Sequence, residues 1–201
     1  MTTAEHELFM VFVDGKPGHE QEYARWFTGE HLLDMKGLPG VDSAHAYRLR
    51  SLDGQPAPAG LCALYETLSG TQLLHTIAAN KGTDALPVSL IQGAMVWRVL
   101  ETVRRSEPHG DRKPRVLICL FGGEWDGPPE QLFWDWLNSA ALPIVEARQT
   151  RISPAQPSRG REFGSVLFVA LAGHADAAEV MSAIRSQRSA PASRFLLAAP
   201  A

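Results

Sequence analysis

Short apolar runs alternate with amphipathic stretches along this chain, and the alternation predicts a regular order of strands and helices. Four runs in the first half have the length and composition of strands, and two stretches carry large side chains at helical spacing. The predicted strands are 8–13, 43–49, 61–67 and 93–103, and the predicted helices are about 19–35 and 71–80. The first half is therefore expected to have the order β-α-β-β-α-β.

The same order returns in the second half. The predicted strands there are 115–121, 150–154, 165–171 and 194–199, and the predicted helices are 128 to about 146 and 176–186. Residues 104–114 lie between the halves and are mostly charged residues, Gly and Pro, which is typical of a solvated linker. We therefore predict two tandem repeats of one α+β unit, at 1–104 and 115–201, joined by a linker at 105–114.

The first helices of the two repeats share apolar residues but differ in polar ones. Setting Trp26 against Trp136 brings aromatic residues together along both helices. At the same offset, Glu30 and His31 of the first repeat meet two alanines of the second. Packing requires the aromatic positions twice, whereas the Glu-His pair occurs once. Any chemistry is therefore expected in the first repeat, around His31, with the second repeat as a scaffold.

The run EYARWFTGEHLLDM at 22–35, followed by LPGV at 38–41, resembles the first helix of the EthD-like branch of the dimeric α+β barrel superfamily. Members of that branch often show an aromatic pair, an acidic-His step and a PG turn before the second strand. Many relatives have Pro after the His-Leu step. This repeat has Leu33 there, although the second repeat retains Pro143.

This resemblance implies that each repeat is a ferredoxin-like unit and that the two sheets press together into a barrel, with a ligand cavity between sheet and helices. Both halves would come from one chain, so an intramolecular α+β barrel is implied, either as a monomeric pseudo-dimer or as a homodimer. The superfamily includes polyketide cyclases, muconolactone isomerases, cofactor-free antibiotic monooxygenases and the haem-binding chlorite dismutase group. The fold alone does not choose among these activities.

Polar residues interrupt the apolar face of the first helix. On a regular helix, Glu30 and Asp34 lie near the line of Tyr23 and Phe27, and His31 lies beside that line, still within the sheet-facing sector. Asp34 follows His31 by three residues and is predicted to fix the imidazole tautomer and to raise its basicity. A histidine held in this way suits a general base near neutral pH, with Glu30 as the alternative orienting group. The alternative without chemistry is that His31 caps the helix end.

Candidate partners of His31 come from neighbouring elements. A phenol from Tyr47 or Tyr65 is predicted to donate a hydrogen bond to an enolate or phenolate oxygen. The residues predicted to bind the substrate are Tyr23, Trp26, Phe27, His45 and Trp97. No His or Cys cluster at metal spacing accompanies them, and no glycine-rich phosphate loop follows a strand, so neither a metal nor a nucleotide cofactor is indicated.

The predicted function is a cofactor-independent enzyme acting on a small aromatic or polyketide-like carbonyl compound. His31 would abstract a proton and a tyrosine would stabilise the enolate, as in a cyclase, isomerase or lyase. A cofactor-free monooxygenase of an electron-rich phenol and a non-catalytic module for small ligands are the alternatives. Haem binding, with His31 or His45 as the axial ligand, is a further one.

Charge and hydropathy exclude several classes of partner. The 201 residues carry a formal net charge of -3, which provides no basic field for nucleic acid. No window approaches the roughly 20 apolar residues of a membrane span, and the N-terminus lacks a signal-like pattern, so we expect a cytoplasmic protein. Cys62 and Cys119 lie in predicted strands and are expected to be reduced core residues.

Overall fold

The computed structural model describes residues 6–106, 115–121, 128–154, 164–187 and 193–201. The strands in this part of the chain are β1 (Glu7–Gly15), β2 (Val41–Ser51), β3 (Leu61–Thr67), β4 (Gln92–Arg105), β5 (Val116–Phe121), β6 (Ile144–Ile152), β7 (Ser165–Leu171) and β8 (Ser193–Pro200). The helices are α1 (Glu20–Trp26), α2 (Leu32–Gly37), α3 (Gly70–Asn80), α4 (Pro128–Ser139) and α5 (Ala177–Ser186). A π-helical turn (Phe27–His31) joins α1 to α2.

The strands form a closed antiparallel barrel in the order β1-β3-β2-β8-β5-β7-β6-β4. Each half of the chain supplies four neighbouring strands, with the first and third strands of the half at the centre of its sheet. The halves meet at two seams, where β2 pairs with β8 and β4 pairs with β6. Each half thus has the ferredoxin-like strand order, and the predicted α+β fold with an intramolecular barrel is confirmed.

Side chains alternate along each strand between the inside of the barrel and the helices packed outside it. On β1, Met10 and Phe12 are buried inside the barrel, whereas Phe9 and Val11 pack against the helices. Because both faces are covered, such strands are continuous apolar runs rather than alternating ones. The sequence of β1 therefore identifies a buried strand without showing which face meets the helices.

The aromatic residues aligned between the first helices have the same geometry in both halves. The ring centroids of Tyr23 and Trp26 are 5.5 Å apart at 45°, and those of Phe133 and Trp136 are 5.4 Å apart at 49°. After α4 the described residues 140–143 are not helical. The aromatic packing is therefore repeated, but the further helical turns that carry His31 are not.

Three predicted boundaries are corrected. The helix predicted from 128 to about 146 ends at Ser139, and the strand predicted at 150–154 is the end of β6, which begins at Ile144. Pro143 explains the difference, because proline disfavours helical backbone at the residue before it. Arg105, which was expected to open the linker, is the last residue of β4 and pairs with Arg148. Linker residues 107–114 lie outside the described residues, and the division into two repeats stays a prediction.

Cys62 and Cys119 are free and fully buried, as expected of core cysteines. Burial raises the pKa of each thiol above its ordinary value. Both groups are therefore protonated and unreactive at neutral pH. In the described part of the chain, no helix has the length and apolar content needed to cross a bilayer.

A carboxylate clasp joins the loop between β2 and β3 to the second half of the chain. Asp53 accepts hydrogen bonds from Phe195 N at 2.8 Å, Gln55 N at 3.0 Å and Ser51 Oγ at 3.1 Å, and Arg185 Nη2 lies 3.5 Å away. Burial alone would raise the pKa of Asp53, but these donors and Arg185 hold it below its ordinary value. The clasp is therefore a stabilising contact of the ionised carboxylate.

We expect Asp53→Ala to lower the free energy of unfolding at pH 7 by about 2 kcal/mol, because the Phe195 N–H loses its acceptor. Urea denaturation measures this loss. The difference from the parent protein should shrink as the pH falls below 3.8, the ordinary pKa of an aspartate, since a carboxylate with a lowered pKa contributes stability only while it is ionised. Asp84→Ala, at an exposed loop position, is the matched control. Equal stability of the parent and Asp53→Ala at pH 7 would contradict the role of the clasp.

Candidate active site

An apolar cavity of about 280 Å³ lies between the sheet of the first half and its helices. Its lining on the sheet side includes Phe9 on β1, Tyr65 on β3 and Trp97 on β4. These residues are neighbours because Phe9 pairs in register with Tyr65, and its ring centroid lies 5.7 Å from that of Trp97. Of the residues predicted from the sequence, the cavity is lined by Tyr23, Trp26, Phe27, His31, Tyr65 and Trp97.

The helix that carries His31 is not regular. An i→i+5 turn holds one residue more than an α-helical turn, so the π-helical turn rotates the residues that follow it about the helix axis. His31 and Met35 line the cavity as a result, whereas Glu30 is exposed. The prediction that Glu30 and Asp34 lie along the inner face is therefore corrected, since it assumed regular helical spacing.

His31 is a neutral imidazole packed between aromatic rings and the cavity. Its ring stacks on Trp26 with centroids 4.6 Å apart and on Phe27 at 5.4 Å, both at 26°. Burial lowers the pKa of His31 to about 4, and the charge of Asp34 offsets this only in part. The predicted increase in basicity is therefore wrong, because desolvation outweighs the nearby carboxylate.

The two nitrogens of His31 have different surroundings. Nδ1 is buried and has no hydrogen-bond partner, so Asp34 does not fix the tautomer through this atom as was predicted. Because His31 lines the cavity while Nδ1 is sealed, the ring edge that carries Nε2 is the one a ligand can reach. An imidazolium here would have no acceptor at Nδ1, which is consistent with the lowered pKa.

Two tyrosines, Tyr23 and Tyr65, are among the residues that line the cavity. Tyr23 and Tyr65 are each 1% exposed, and burial raises the pKa of both well above the ordinary value. Their hydroxyls therefore stay protonated at neutral pH and can donate to an anionic oxygen of a ligand. Of the two predicted oxyanion donors, Tyr65 is the one that shares the cavity with His31.

Tyr47 and His45 lie on the other side of the sheet. His45 pairs in register with Leu64, whose side chain is inside the barrel, and Tyr47 is buried in the same interior core. Their alternation on one face of β2 was predicted, but that face points away from His31. The roles predicted for Tyr47 and His45 beside His31 are therefore corrected.

Tyr47 and His45 line a separate cavity of about 190 Å³ inside the barrel. Burial raises the pKa of Tyr47 to about 12, with smaller contributions from Cys62 and Glu66. Arg148 Nη1 donates to Glu66 Oε1 at 2.7 Å, and a second pair joins Arg105 to Glu146. The charges around this cavity therefore neutralise one another, and we interpret it as part of the seam between the two halves.

Several lining residues were not predicted from the sequence. They come from the connection between α3 and β4, which covers the cavity with Lys81, Leu86, Pro87 and Val88, and from Gln92 and Met95 on β4. This connection is fixed by Gly82 N donating to Leu86 O at 2.9 Å, and Leu86 is buried. In the sequence, Gly82 and Pro87 predict a turn. No local pattern shows that the irregular segment around them folds back over the cavity.

Among the described residues, no three His, Cys, Asp or Glu side chains lie together as a metal site. Lys81 is the one charged side chain among the described residues that line the His31 cavity. Exposed apolar side chains surround the opening, with Val88 at 45% and Met95 at 43%. The site therefore offers a flat apolar ligand an aromatic wall, a neutral imidazole and protonated phenols.

No family model and no curated protein matches the sequence. Solved structures that are similar include an anthrone oxidase-like protein, at 13% identity over 98% of this chain and 92% of that chain, with a TM-score of 0.58. A proposed monooxygenase from Fusobacterium nucleatum subsp. nucleatum ATCC 25586 has 8% identity over 100% of this chain and 93% of that chain, with a TM-score of 0.57. A mutant chlorite dismutase from Candidatus Nitrospira defluvii has 14% identity over 100% and 92%, with a TM-score of 0.58.

These similarities, at 8–14% identity, show the fold alone, which is a ferredoxin-like α+β barrel. The dimeric α+β barrel superfamily and its EthD-like branch stay predictions from the sequence. At such low identity the activities of the neighbours do not pass to this chain with the fold.

The residues around His31 do not fit a haem. Sites for drug-sized ligands span about 300–1,000 Å³, and the cavity beside His31, at about 280 Å³, is smaller than a porphyrin with two propionates requires. Lys81 would be the single described cation for two carboxylates. His45, the other predicted axial ligand, lines a cavity of only about 190 Å³.

Proposed function

We propose that this chain is a cofactor-independent enzyme that oxidises a small, flat aromatic compound with dioxygen, and that His31 is its base. The observation that carries the proposal is the neutral imidazole of His31 at an aromatic cavity. Two structural neighbours are described as an anthrone oxidase-like protein and a proposed monooxygenase, which supports oxygenation over cyclisation, isomerisation or elimination.

The shape and lining of the cavity favour a fused aromatic substrate. Trp26, Phe27 and Trp97 present ring surfaces to it, and flat rings pack well against such surfaces. Its volume of about 280 Å³ suits two or three fused rings rather than a larger ligand. An acidic C–H or O–H group must lie at Nε2 of His31, because this is the ring nitrogen within reach of a ligand.

His31 is a weak base, and this sets how acidic the substrate must be. Moving a proton from a group with a pKa of about 10 to an imidazole with a pKa near 4 costs about 8 kcal/mol. A turnover of about 10 per second corresponds to a barrier of roughly 16 kcal/mol, so the cost of the proton transfer is below this barrier. A hydrogen bond from Tyr65 to the oxygen that becomes negative would lower this cost further.

Dioxygen then reacts with the carbanion or phenolate. The anion transfers one electron to dioxygen, and the two radicals combine into a peroxide anion. This anion takes back the proton held by His31 to form a hydroperoxide, and loss of water leaves a carbonyl group. A CH₂ group thus becomes C=O, one oxygen atom enters the product and the other leaves as water. The substrate supplies all the electrons, so no external reductant is needed.

Oxygen consumption tests the proposal. With anthrone as the first substrate, we expect one dioxygen consumed per product and one ¹⁸O atom incorporated from labelled dioxygen. Tyr65→Phe should lower kcat by about 10² to 10³-fold, as loss of an oxyanion donor does in other enzymes. Anthrone is one member of the class, so a panel of two- and three-ring phenols and ketones accompanies it. Absence of oxygen uptake across the panel would reject the oxygenase.

The cyclase, isomerase or lyase predicted from the sequence is the second candidate, because it uses the same proton abstraction by His31. It differs in the fate of the anion, which is reprotonated or attacks a carbonyl group within the molecule. Turnover of a carbonyl substrate under strict exclusion of oxygen would favour this candidate over the oxygenase. A ligand that binds without turnover under either condition would indicate a binding module.

A further inference from the structure

The stacking of His31 on Trp26 requires the π-helical turn. In an α-helix, residues five apart are rotated by about 140° from one another and do not meet. In an i→i+5 turn they lie one above the other, and the two ring centroids are 4.6 Å apart here. The turn therefore determines both the stack and the exposure of His31 to the cavity.

Two residues inside the turn favour it over a regular helix. Thr28 Oγ1 donates a hydrogen bond to Ala24 O at 2.8 Å, and such a bond from Thr to the carbonyl four residues earlier bends helices. A side chain would fit at Gly29, because a Cβ there would meet nothing within 4 Å. Lack of space therefore does not explain the glycine. Its effect is to weaken the preference for α-helix at this point.

The second half of the chain provides an internal comparison. With Trp26 set against Trp136, Asn138 and Ser139 occupy the positions of Thr28 and Gly29. There α4 remains α-helical and ends at Ser139, although the aromatic pair before it packs as in α1. The aromatic pair is therefore not sufficient to produce the π-helical turn.

We propose that Thr28 is a positioning residue, whose hydroxyl group holds the π-helical turn and thereby places His31 on Trp26 and at the cavity. Gly29 assists by lowering the stability of the competing α-helix. The proposal concerns the placement of the imidazole, so it stands or falls separately from the proposed oxidation.

The test replaces Thr28 by Val, which keeps the branched shape and removes the donor, with Thr28→Ser as the control that retains it. An NMR titration of the histidine ring protons reports the position of His31 in two ways. In Thr28→Val, we expect the pKa of His31 to rise from about 4 toward 6.5, the ordinary value for histidine, as the ring becomes solvated. The upfield ring-current shift caused by Trp26 should decrease at the same time. Thr28→Ser should match the parent protein in both.

Gly29→Ala is the second variant, in case Thr28→Val does not fold. It adds a methyl group where there is room and favours the α-helix, so it should move the pKa and the ring-current shift in the same direction. Circular dichroism and the melting temperature verify folding of each variant. A folded Thr28→Val protein in which His31 keeps its low pKa and its upfield shift would overturn the proposal. If Thr28→Val does not fold, a folded Gly29→Ala protein in which His31 keeps its low pKa and its upfield shift would overturn the proposal.

Discussion

His31→Phe is expected to lose about 10² to 10⁴-fold in turnover and yet to unfold at a higher temperature than the parent protein. The activity falls because a general base contributes about 10² to 10⁴-fold and phenylalanine cannot accept a proton. The stability rises because Nδ1 of His31 is buried without a partner, and removing such a group gains about 1 kcal/mol. Phenylalanine retains the stack on Trp26 and Phe27, and the gain corresponds to roughly 3 °C in a domain of this size.

The pH dependence of stability tests the burial of His31 without any substrate. With a folded-state pKa of about 4, below the ordinary 6.5, the unfolded chain binds the proton more readily than the folded protein. The stability of the parent protein should therefore fall between about pH 6.5 and pH 4, by about 2 kcal/mol after allowance for partial exposure of the ring. The His31→Phe variant should lack this loss of stability between about pH 6.5 and pH 4.

The pH dependence of the rate has the same origin. The kcat/KM of the parent enzyme should stay level from about pH 8 to 5 and decrease only near pH 4, where the free base is protonated. His75→Phe, at an exposed position on α3, is the control and should change neither stability nor rate. Full activity of His31→Phe would eliminate His31 as the base, and a melting temperature below that of the parent would contradict the assigned cost of Nδ1.

The strands and their order along the chain were predictable because apolar runs and turns specify buried strands directly, whereas the barrel was implied only by the resemblance to a known superfamily. The predicted strand at Leu61–Thr67 agrees with β3, and the strand at Ser165–Leu171 agrees with β7. The sequence did not show which face of β2 points into the barrel. Alternation placed His45 and Tyr47 together on one face, but alternation alone does not show whether that face points into the barrel or toward the helices.

The regular helical pattern placed His31 in the sheet-facing sector, where it lies, but it did not give the positions of Glu30 and Met35. A single π-helical turn leaves the composition of a helix almost unchanged while rotating every residue after it. Glu30 and Asp34 were therefore assigned to the inner face, and Met35 was missed. The lowered pKa of His31 was also unpredictable, because it depends on how deeply the ring is buried rather than on which residues are near in sequence.

Arg148→Met is expected to cause the largest loss of stability, about 3 kcal/mol, in urea denaturation at pH 7. Arg148 lies on β6 in the second half and is 7% exposed. Its guanidinium donates to Glu66 Oε1 at 2.7 Å, to Thr102 Oγ1 at 2.7 Å and to His6 O at 2.8 Å, all in the first half. Removing it takes a donor from each of these acceptors, of which His6 O keeps a bond from Thr102 Oγ1 at 3.2 Å, and breaking a buried ion pair costs about 3–5 kcal/mol. Partial exposure of Glu66 places the expected value at the lower end of that range.

A double-mutant cycle separates the ion pair from the rest of the seam. Arg151→Met is the matched control on the same strand, since Arg151 is 61% exposed and pairs with Glu101 at the surface, where such pairs contribute at most about 1 kcal/mol. Glu66→Leu combined with Arg148→Met should recover part of the loss, because the carboxylate no longer remains buried without a cation. If Arg148→Met lost no more stability than Arg151→Met, the Arg148–Glu66 pair would add nothing to the strand pairing and apolar packing that join the two halves.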